Sequence, residues 1–397
     1  MNGGERLRKL TTIVGSACGL GLGLLATRRL LLAAAALAPP RRVPRLSRLP
    51  SLTVLVPARN EASTVGRVFE GLDSIDYPAD ELTTVLIDDG SADGTAEQFR
   101  QRATERARTL VVELSPSVGK PQALNEALAA SPKSELIAVC DADLRPAPDS
   151  FRRLAEAFGD NEVALAVGYR RPENADVTVC SRYAAVESWV HQLVTGAGKD
   201  RLDVNPPSLG FCVYRRSALE EISGFRARGA EDVDSSLAIT RAGWRTRFVP
   251  TAVAENLVAD RPAHYWSQHM RWSDHLFDAR KPESRTTARS RPVPARRRVE
   301  AALVGTGYVD RVLLGGAVVT AAVGAIPFWV PGGYLGLRGA EVGVGLLKGG
   351  VGRRWPAFVA ATVVFFPLDV AASFAAVALR PWRRNHRGWR PQRGQPL

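Results

Sequence analysis

Between residues 52 and 257 short β-rich apolar runs alternate with helical patterns, and this alternation restricts the possible folds more than any other feature of the chain. The runs lie at 53–56, 83–87, 109–113, 136–140 and 163–167, with helical stretches at 62–72, 92–106, 121–129 and 148–158 between them. A parallel neighbour strand needs a crossover, which a helix supplies, so the pattern predicts an α/β fold with a mostly parallel sheet flanked by helices. A longer amphipathic helix is expected over 177–194. Open sheets of this kind bind ligands beyond the carboxyl ends of their strands, so the residues that leave each run are where chemistry is sought.

Those exits are polar and acidic. The first is Val-Pro-Ala-Arg-Asn-Glu, Val56 to Glu61, where Pro57, Arg59 and Glu61 open a strand-to-helix turn able to meet a nucleotide. An ordinary turn has the same look. The second exit carries Asp88 and Asp89, followed by Gly90, Ser91, Asp93 and Gly94. Paired carboxylates there suit a base or ribose, and also suit a turn with an N-cap. Lys120 stands just before a helical stretch, within reach of a diphosphate. Asp141-Ala142-Asp143 ends the apolar run 136–140. In a strict strand the two carboxylates would point apart, but at the exit the chain turns and they can converge on a hard divalent ion, which takes oxygen ligands and substrate phosphates.

Further along, Gly229-Ala230-Glu231-Asp232 leads into a helix, where a carboxylate can serve as general base or as cap. Gln268-His269-Met270-Arg271-Trp272 places Gln268, Arg271 and Trp272 on one side of a helix. That side offers a planar cation for phosphate and an aromatic plate for a sugar, and equally a tryptophan anchor at a membrane surface.

The flanks have a different character. Residues 10–26 are apolar and glycine-rich, Arg28 and Arg29 interrupt them, and 30–37 resume the apolar character. A retained membrane helix is favoured over a cleaved signal peptide because the apolar stretch is long. Whether 30–37 makes a second pass or lies in the interface is open. Residues 312–335 and 358–379 are each long enough to span, joined by a Gly-rich connection over 336–355.

The formal net charge is +13, and much of it abuts these apolar segments: Arg41, Arg42, Arg45 and Arg48; Arg285, Arg289, Arg291 and Arg296 to Arg298; Arg380, Arg383, Arg384, Arg387, Arg390 and Arg393. Juxtamembrane arginines mark a cytoplasmic face and an attraction to anionic membrane lipids. Nucleic acid is the competing partner for a basic chain, but no recognition module is present and none is expected to bind. Arg338, Lys348, Arg353 and Arg354 sit in the connection that this topology puts outside, which is a tension that a re-entrant arrangement would remove. The four cysteines form no CxxC pair and the five histidines no HExxH, so neither a disulfide framework nor a zinc site is expected.

The ordered series Pro57…Asn60-Glu61, Asp88-Asp89, Asp141-Ala142-Asp143, Glu231-Asp232 and Gln268-x-x-Arg271-Trp272 resembles the inverting glycosyltransferases of family 2, which have the GT-A fold. The resemblance covers about residues 50 to 280. It implies that Pro57, Arg59, Glu61, Asp88 and Asp89 hold the nucleoside of a UDP- or GDP-linked sugar, with Lys120 and Asp141 on its diphosphate. It implies Mg²⁺ or Mn²⁺ on Asp143 and Asp141, Asp232 as base beside Glu231, and Gln268, Arg271 and Trp272 lining the acceptor and diphosphate side. Tyr214-Arg215-Arg216-Ser217-Ala218-Leu219 and Gly243-Trp244-Arg245 look like the branch containing ceramide glucosyltransferase, which puts one sugar on a lipid. The processive branch of cellulose, chitin and hyaluronan synthases is the alternative, with a saccharide acceptor. A degenerate sugar-nucleotide binding module is the non-enzymatic alternative.

The expected organisation is a membrane anchor (1–38), a Pro/Arg linker (39–51), a GT-A catalytic domain facing the cytoplasm (52–280), a basic linker (281–298), a C-terminal membrane region of about two spans (299–380) and a basic cytosolic tail (381–397).

Overall fold

The computed structural model describes residues 3–41, 46–226, 231–279, 291–304 and 306–378. The strands are β1 (Leu52–Ala58), β2 (Leu82–Asp89), β3 (Thr109–Leu114), β4 (Leu136–Cys140), β5 (Arg145–Pro146), β6 (Val163–Pro172), β7 (Phe211–Arg215) and β8 (Arg245–Asn256). The helices are α1 (Gly3–Ala36), α2 (Val65–Asp73), α3 (Thr95–Glu105), α4 (Lys120–Ala130), α5 (Ser150–Glu156), α6 (Val179–Trp189), α7 (Ala197–Arg201), α8 (Arg216–Glu221), α9 (Glu231–Arg241), α10 (Pro262–Ala279), α11 (Ala295–Leu303), α12 (Val309–Ala322), α13 (Trp329–Gly349) and α14 (Trp355–Ala378).

All five expected strands form, at β1, β2, β3, β4 and β6, and they join one mixed sheet of order β3-β2-β1-β4-β7-β6-β8-β5. β3, β2, β1 and β4 run parallel. β7 is antiparallel to both its neighbours, and β6 pairs parallel with β8. The winding reverses at β1, whose neighbours are β2 on one side and β4 on the other, and a crevice opens beyond the carboxyl ends at such a reversal.

Alternation along β1 builds the core on both faces. Val54 and Val56 join one buried cluster, with Phe99, Phe151 and Phe211, and Leu55 joins the other. The second cluster does not stop at the sheet. It takes in Tyr183 and Trp189 of α6, then Leu346, Phe358 and Ala361 of α13 and α14, so the C-terminal helices pack on the same core as the strands.

The helix expected over 177–194 is α6, which is buried on most sides rather than amphipathic and continues into a π-helical turn at Val190–Gly196. The apolar N-terminal segment is a single helix through Arg28 and Arg29, about 51 Å long at 1.5 Å per residue. Neither arginine interrupts it, because each finds carboxylates on other helices. Arg28 pairs with Glu300, which also takes Lys199 at 3.0 Å. Arg29 donates to Asp310 at 2.6 Å and to Glu341 at 3.0 Å.

Residues 312–335, expected as one span, are divided between α12 and α13. The break holds Gly324 at φ 72° and Pro327, the first suited to a left-handed turn and the second unable to donate a helix hydrogen bond. The supposed connection 336–355 is instead mostly helix, since α13 runs to Gly349. Two of its four cations meet acids: Arg338 pairs with Glu341, and Arg354 reaches Asp176 beside α6 at 2.8 Å, while Lys348 and Arg353 are exposed. Among the described residues, two helical stretches are long and apolar enough to cross a membrane, Gly4–Ala36 and Gly352–Ala376. The expected basic tail and most of the second basic linker lie outside the described residues.

Replacing Arg29 by Leu leaves Asp310 and Glu341 buried with one cation fewer. A buried pair broken from one side typically costs about 3–5 kcal/mol, so this variant should unfold at clearly lower temperature in detergent. An unchanged melting temperature would show that these charges are solvated after all.

Candidate active site

The first two strand exits are laced together before any ligand is considered. Asn60, at φ 56°, accepts from the Ala92 N–H through its side chain at 2.8 Å, and its own N–H donates to Ser91 Oγ at 2.9 Å. The Glu61 N–H donates to Thr95 Oγ1 at 2.9 Å and the Ala62 N–H to Asp93 at 3.0 Å. The Glu61 carboxylate is buried and accepts from Thr64 Oγ1 at 2.5 Å. A turn rich in Asp, Ser, Asn and Thr thus satisfies its own backbone and holds its shape.

Asp88 and Asp89, adjacent in sequence, have different surroundings. Asp89 is fully buried and accepts from Ser117 Oγ at 2.7 Å, Val118 N–H at 2.7 Å and Gly119 N–H at 3.0 Å. It therefore shapes the loop from which α4 and Lys120 emerge. Asp88 accepts from the Ser91 N–H through Oδ2 at 3.1 Å, while its Oδ1 is buried with no hydrogen-bond partner among the described residues. A buried acceptor of this kind is costly unless a donor meets it, and a nucleobase imide or amide N–H has the right chemistry.

Lys120 draws the distant parts together. Its ammonium lies 2.8 Å from Asp141 Oδ1 at the β4 exit and also pairs with Glu231 at the start of α9. Burial works to lower the Lys120 pKa, but the two carboxylates outweigh it and raise it, so the ammonium stays charged. The Asp141 N–H donates to the Gly210 carbonyl at 3.1 Å. Gly210 sits at φ 77°, and a Cβ there would fall 2.1 Å from Asp141 Oδ2, so only glycine lets β7 begin this close to the carboxylate. Asp143, two residues beyond, is half-buried, and its carbonyl accepts from Arg67 Nε at 3.2 Å.

Asp232 lies next to Glu231 at the α9 N-terminus, half-buried, and accepts from the Val233 N–H at 2.7 Å. Burial first, and then repulsion from Glu231, push its carboxyl up to about 7, against the pull of Lys120 and Arg170. A carboxyl titrating there is suited to move a proton at neutral pH. Gly229 and Ala230 fall outside the described residues.

Gln268, Arg271 and Trp272 lie on α10, which packs against both α9 and α14. Gln268 and Arg271 are half-buried, and Trp272 is exposed. His269, between them, is buried.

Sequence reasoning did not single out Gly210, the 117–119 loop as the partner of Asp89, or Arg170. Gly210 stands in a Pro-Pro-Ser-Leu-Gly run whose need for a left-handed residue is its only local signal.

Asp141 and Asp143 offer the hard oxygen donors that a divalent cation takes, at the mouth of the crevice between β1 and β4, so these residues fit such an ion. The β1–β4 switch point and the acids at its strand exits define a nucleotide-binding α/β fold of the GT-A type.

The profile described as "Glycosyltransferase like family 2" matches residues 50–275. An N-acetylglucosaminyltransferase of Mesorhizobium japonicum is 32% identical over 240 residues, 57% of this chain and 56% of its own. The probable glycosyltransferase YdaM of Bacillus subtilis is 27% identical over 244 residues, 59% of this chain and 58% of its own. The chain thus spans a little over half the length of the curated relatives it matches. Among solved structures, the mannosyltransferase PcManGT from Pyrobaculum calidifontis, in complex with GDP-Man and Mn²⁺, superposes with a TM-score of 0.64 at 23% identity, over 95% of this chain and 100% of that one. This chain belongs to the family 2-like glycosyltransferases.

Two outcomes follow for the site. Asp89→Ala removes the acceptor for three donors, and should lower stability by about 2–4 kcal/mol and free the 117–119 loop, seen as faster amide exchange there. The Asp232 carboxyl is raised above its unfolded value near 4, so its proton stabilises the fold at low pH and that contribution is lost as pH rises through about 7. At pH 8 in a chelator, Asp232→Asn should therefore be more stable than the parent by about 1–3 kcal/mol, at about 1.4 kcal/mol per pKa unit. Equal stability of the two at pH 8 would mean that Asp232 is not strained when charged.

Proposed function

We propose that this protein is a membrane-anchored glycosyltransferase that moves a sugar from a nucleoside diphosphate donor, with inversion at C1, to the hydroxyl of a lipid or small acceptor. The observation that carries the reading is the Lys120 contact, which ties the Asp141 strand exit to Glu231 and hence brings Asp232 beside it. Two acidic segments far apart in sequence gather there, on a fold whose relatives are glycosyltransferases.

Asp88 receives the base through its free buried oxygen, in a turn held by Asn60 and Glu61 beyond β1, the strand that carries Pro57, with Arg59 at its rim. Asp143 and Asp141 would hold Mg²⁺ or Mn²⁺, a reading supported by the Mn²⁺ in the mannosyltransferase complex. When bound, that ion supplies charge neutralisation on the leaving diphosphate. Lys120 adds a fixed cation on the same side. Asp232 accepts the proton of the attacking hydroxyl as the oxygen closes on C1, and the nucleoside diphosphate departs from the opposite face. Gln268, Arg271 and Trp272 line the acceptor and diphosphate side, with Trp272 as the plate for a sugar ring.

The membrane part of the reading rests on the two long apolar helical stretches and on the arginines beside them. Nucleotide sugars are made in the cytosol, so the catalytic domain faces that side.

The test is a panel of radiolabelled UDP- and GDP-sugars incubated with membranes carrying the full chain, followed by separation of lipid, soluble and polymer products. Label in a lipid or small-molecule fraction is the expected result, and label confined to polymer would move the protein to the processive branch. With the donor in hand, Asp232→Asn should cut turnover about 10²–10⁴-fold while donor affinity holds. Asp143→Ala should abolish the metal dependence of nucleotide binding, and normal turnover by either variant would refute its assigned role.

A further inference from the structure

His269 lies inside the Gln-His-Met-Arg-Trp segment, yet it points away from the surface and is 6% exposed. Its ring stacks on Tyr265 at 4.0 Å between centroids and meets Trp272 at 5.1 Å. Its Nε2 lies 3.4 Å from Glu187 of α6, and its Nδ1 lies 3.4 Å from the Tyr308 hydroxyl and 3.9 Å from Asp369 of α14. Glu187 and Asp369 are themselves held by one guanidinium: Arg311 of α12 donates Nε to Asp369 at 2.5 Å and Nη2 to Glu187 at 3.1 Å. Tyr183 and Tyr265 complete them, at 3.0 and 2.6 Å.

The ligand atoms of Glu187, His269 and Asp369 fall within 4.8 Å of one another, a spacing that a metal ion would also accept. Arg311 already occupies the charge-compensating position between the two carboxylates, so a second cation there would meet a guanidinium. The cluster is a structural joint. It continues through Asp310, 3.3 Å from Arg311, to Arg29 of α1 and Glu341 of α13.

Charges placed inside an apolar helix bundle are expensive and persist where they serve a purpose. A bidentate guanidinium fixes direction as well as distance, which a lone apolar contact does not. We infer that His269 is a positioning residue, through which the Glu187–Arg311–Asp369 cluster joining α6, α12 and α14 sets the pose of Gln268, Arg271 and Trp272. The consequence for turnover rests on the acceptor-side reading of those three residues given above, whereas the structural coupling does not.

The experiment uses the full chain in lipid nanodiscs and reads hydrogen–deuterium exchange by segment. In Asp369→Asn and in Glu187→Gln, amides of residues 265–272 should exchange about 10-fold faster, while those of β1, β2 and β4 stay unchanged. Glu187 lies on α6, outside the two long apolar stretches, so Glu187→Gln carries the test if Asp369→Asn does not fold. His269→Gln keeps a donor toward Glu187 and should retain most of the protection that His269→Ala loses. With the best donor from the panel, kcat should fall about 10-fold in the loosened variants and donor KM should stay within about twofold. Unchanged exchange over 265–272, or uniform loosening of every strand, overturns the coupling. A loosened segment with unchanged kcat keeps the coupling and sinks the acceptor-side reading of the motif instead.

Discussion

One ammonium group holds the candidate site together. Lys120 stands between a strand-exit carboxylate and a helix-start carboxylate that are far apart in the chain, and its contacts are short and shielded. Without a cation there, Asp141 and Glu231 would repel across a half-buried space. The lysine is itself placed by Asp89, which collects three donors from the preceding loop. The geometry of the crevice thus depends on Asp89, an acid spent on its own backbone.

Much of the catalytic fold was legible because its signals are local. β1 to β4 and β6 are short apolar runs bounded by turn residues, and their exits carry acids that no buried strand would tolerate midway. The helices between them came out within a few residues. β7 and β8 were not foreseen. β7 is five residues long and antiparallel to β4, so its existence depends on pairing with partners far away. β8 carries Arg245, Arg247 and Pro250, which weaken an alternating pattern until Asp160 and Asp200 neutralise the two arginines. The same limit explains the paired acids of β2. Asp88 and Asp89 read as equivalent in the sequence, and only the position of Ser117 to Gly119 separates a free acceptor from a structural one.

Beyond residue 300 apolar content was readable and its division into helices was not. Composition makes 312–335 one long candidate, whereas Gly324 and Pro327 divide it and α13 carries on through glycines that a propensity argument reads as a connection. Gly345 and Gly349 in that helix are needed for approach: a Cβ on the first would press on Val190 and on the second upon Trp189. Close contact with the π-helical turn after α6 is what makes this region continuous with the sheet's own core.

The arginine pair in α1 has a consequence for how the molecule is made. Arg29 finds Asp310 only 281 residues later in the chain, and Glu341 later still. A ribosome finishing the catalytic domain therefore has behind it an apolar helix whose guanidiniums are still unmatched. Such a segment is a poor resident of hydrocarbon on its own and settles toward an interface where water reaches its charges. The pairing that lets this helix lie among its neighbours is therefore made only once the last third of the polypeptide has emerged.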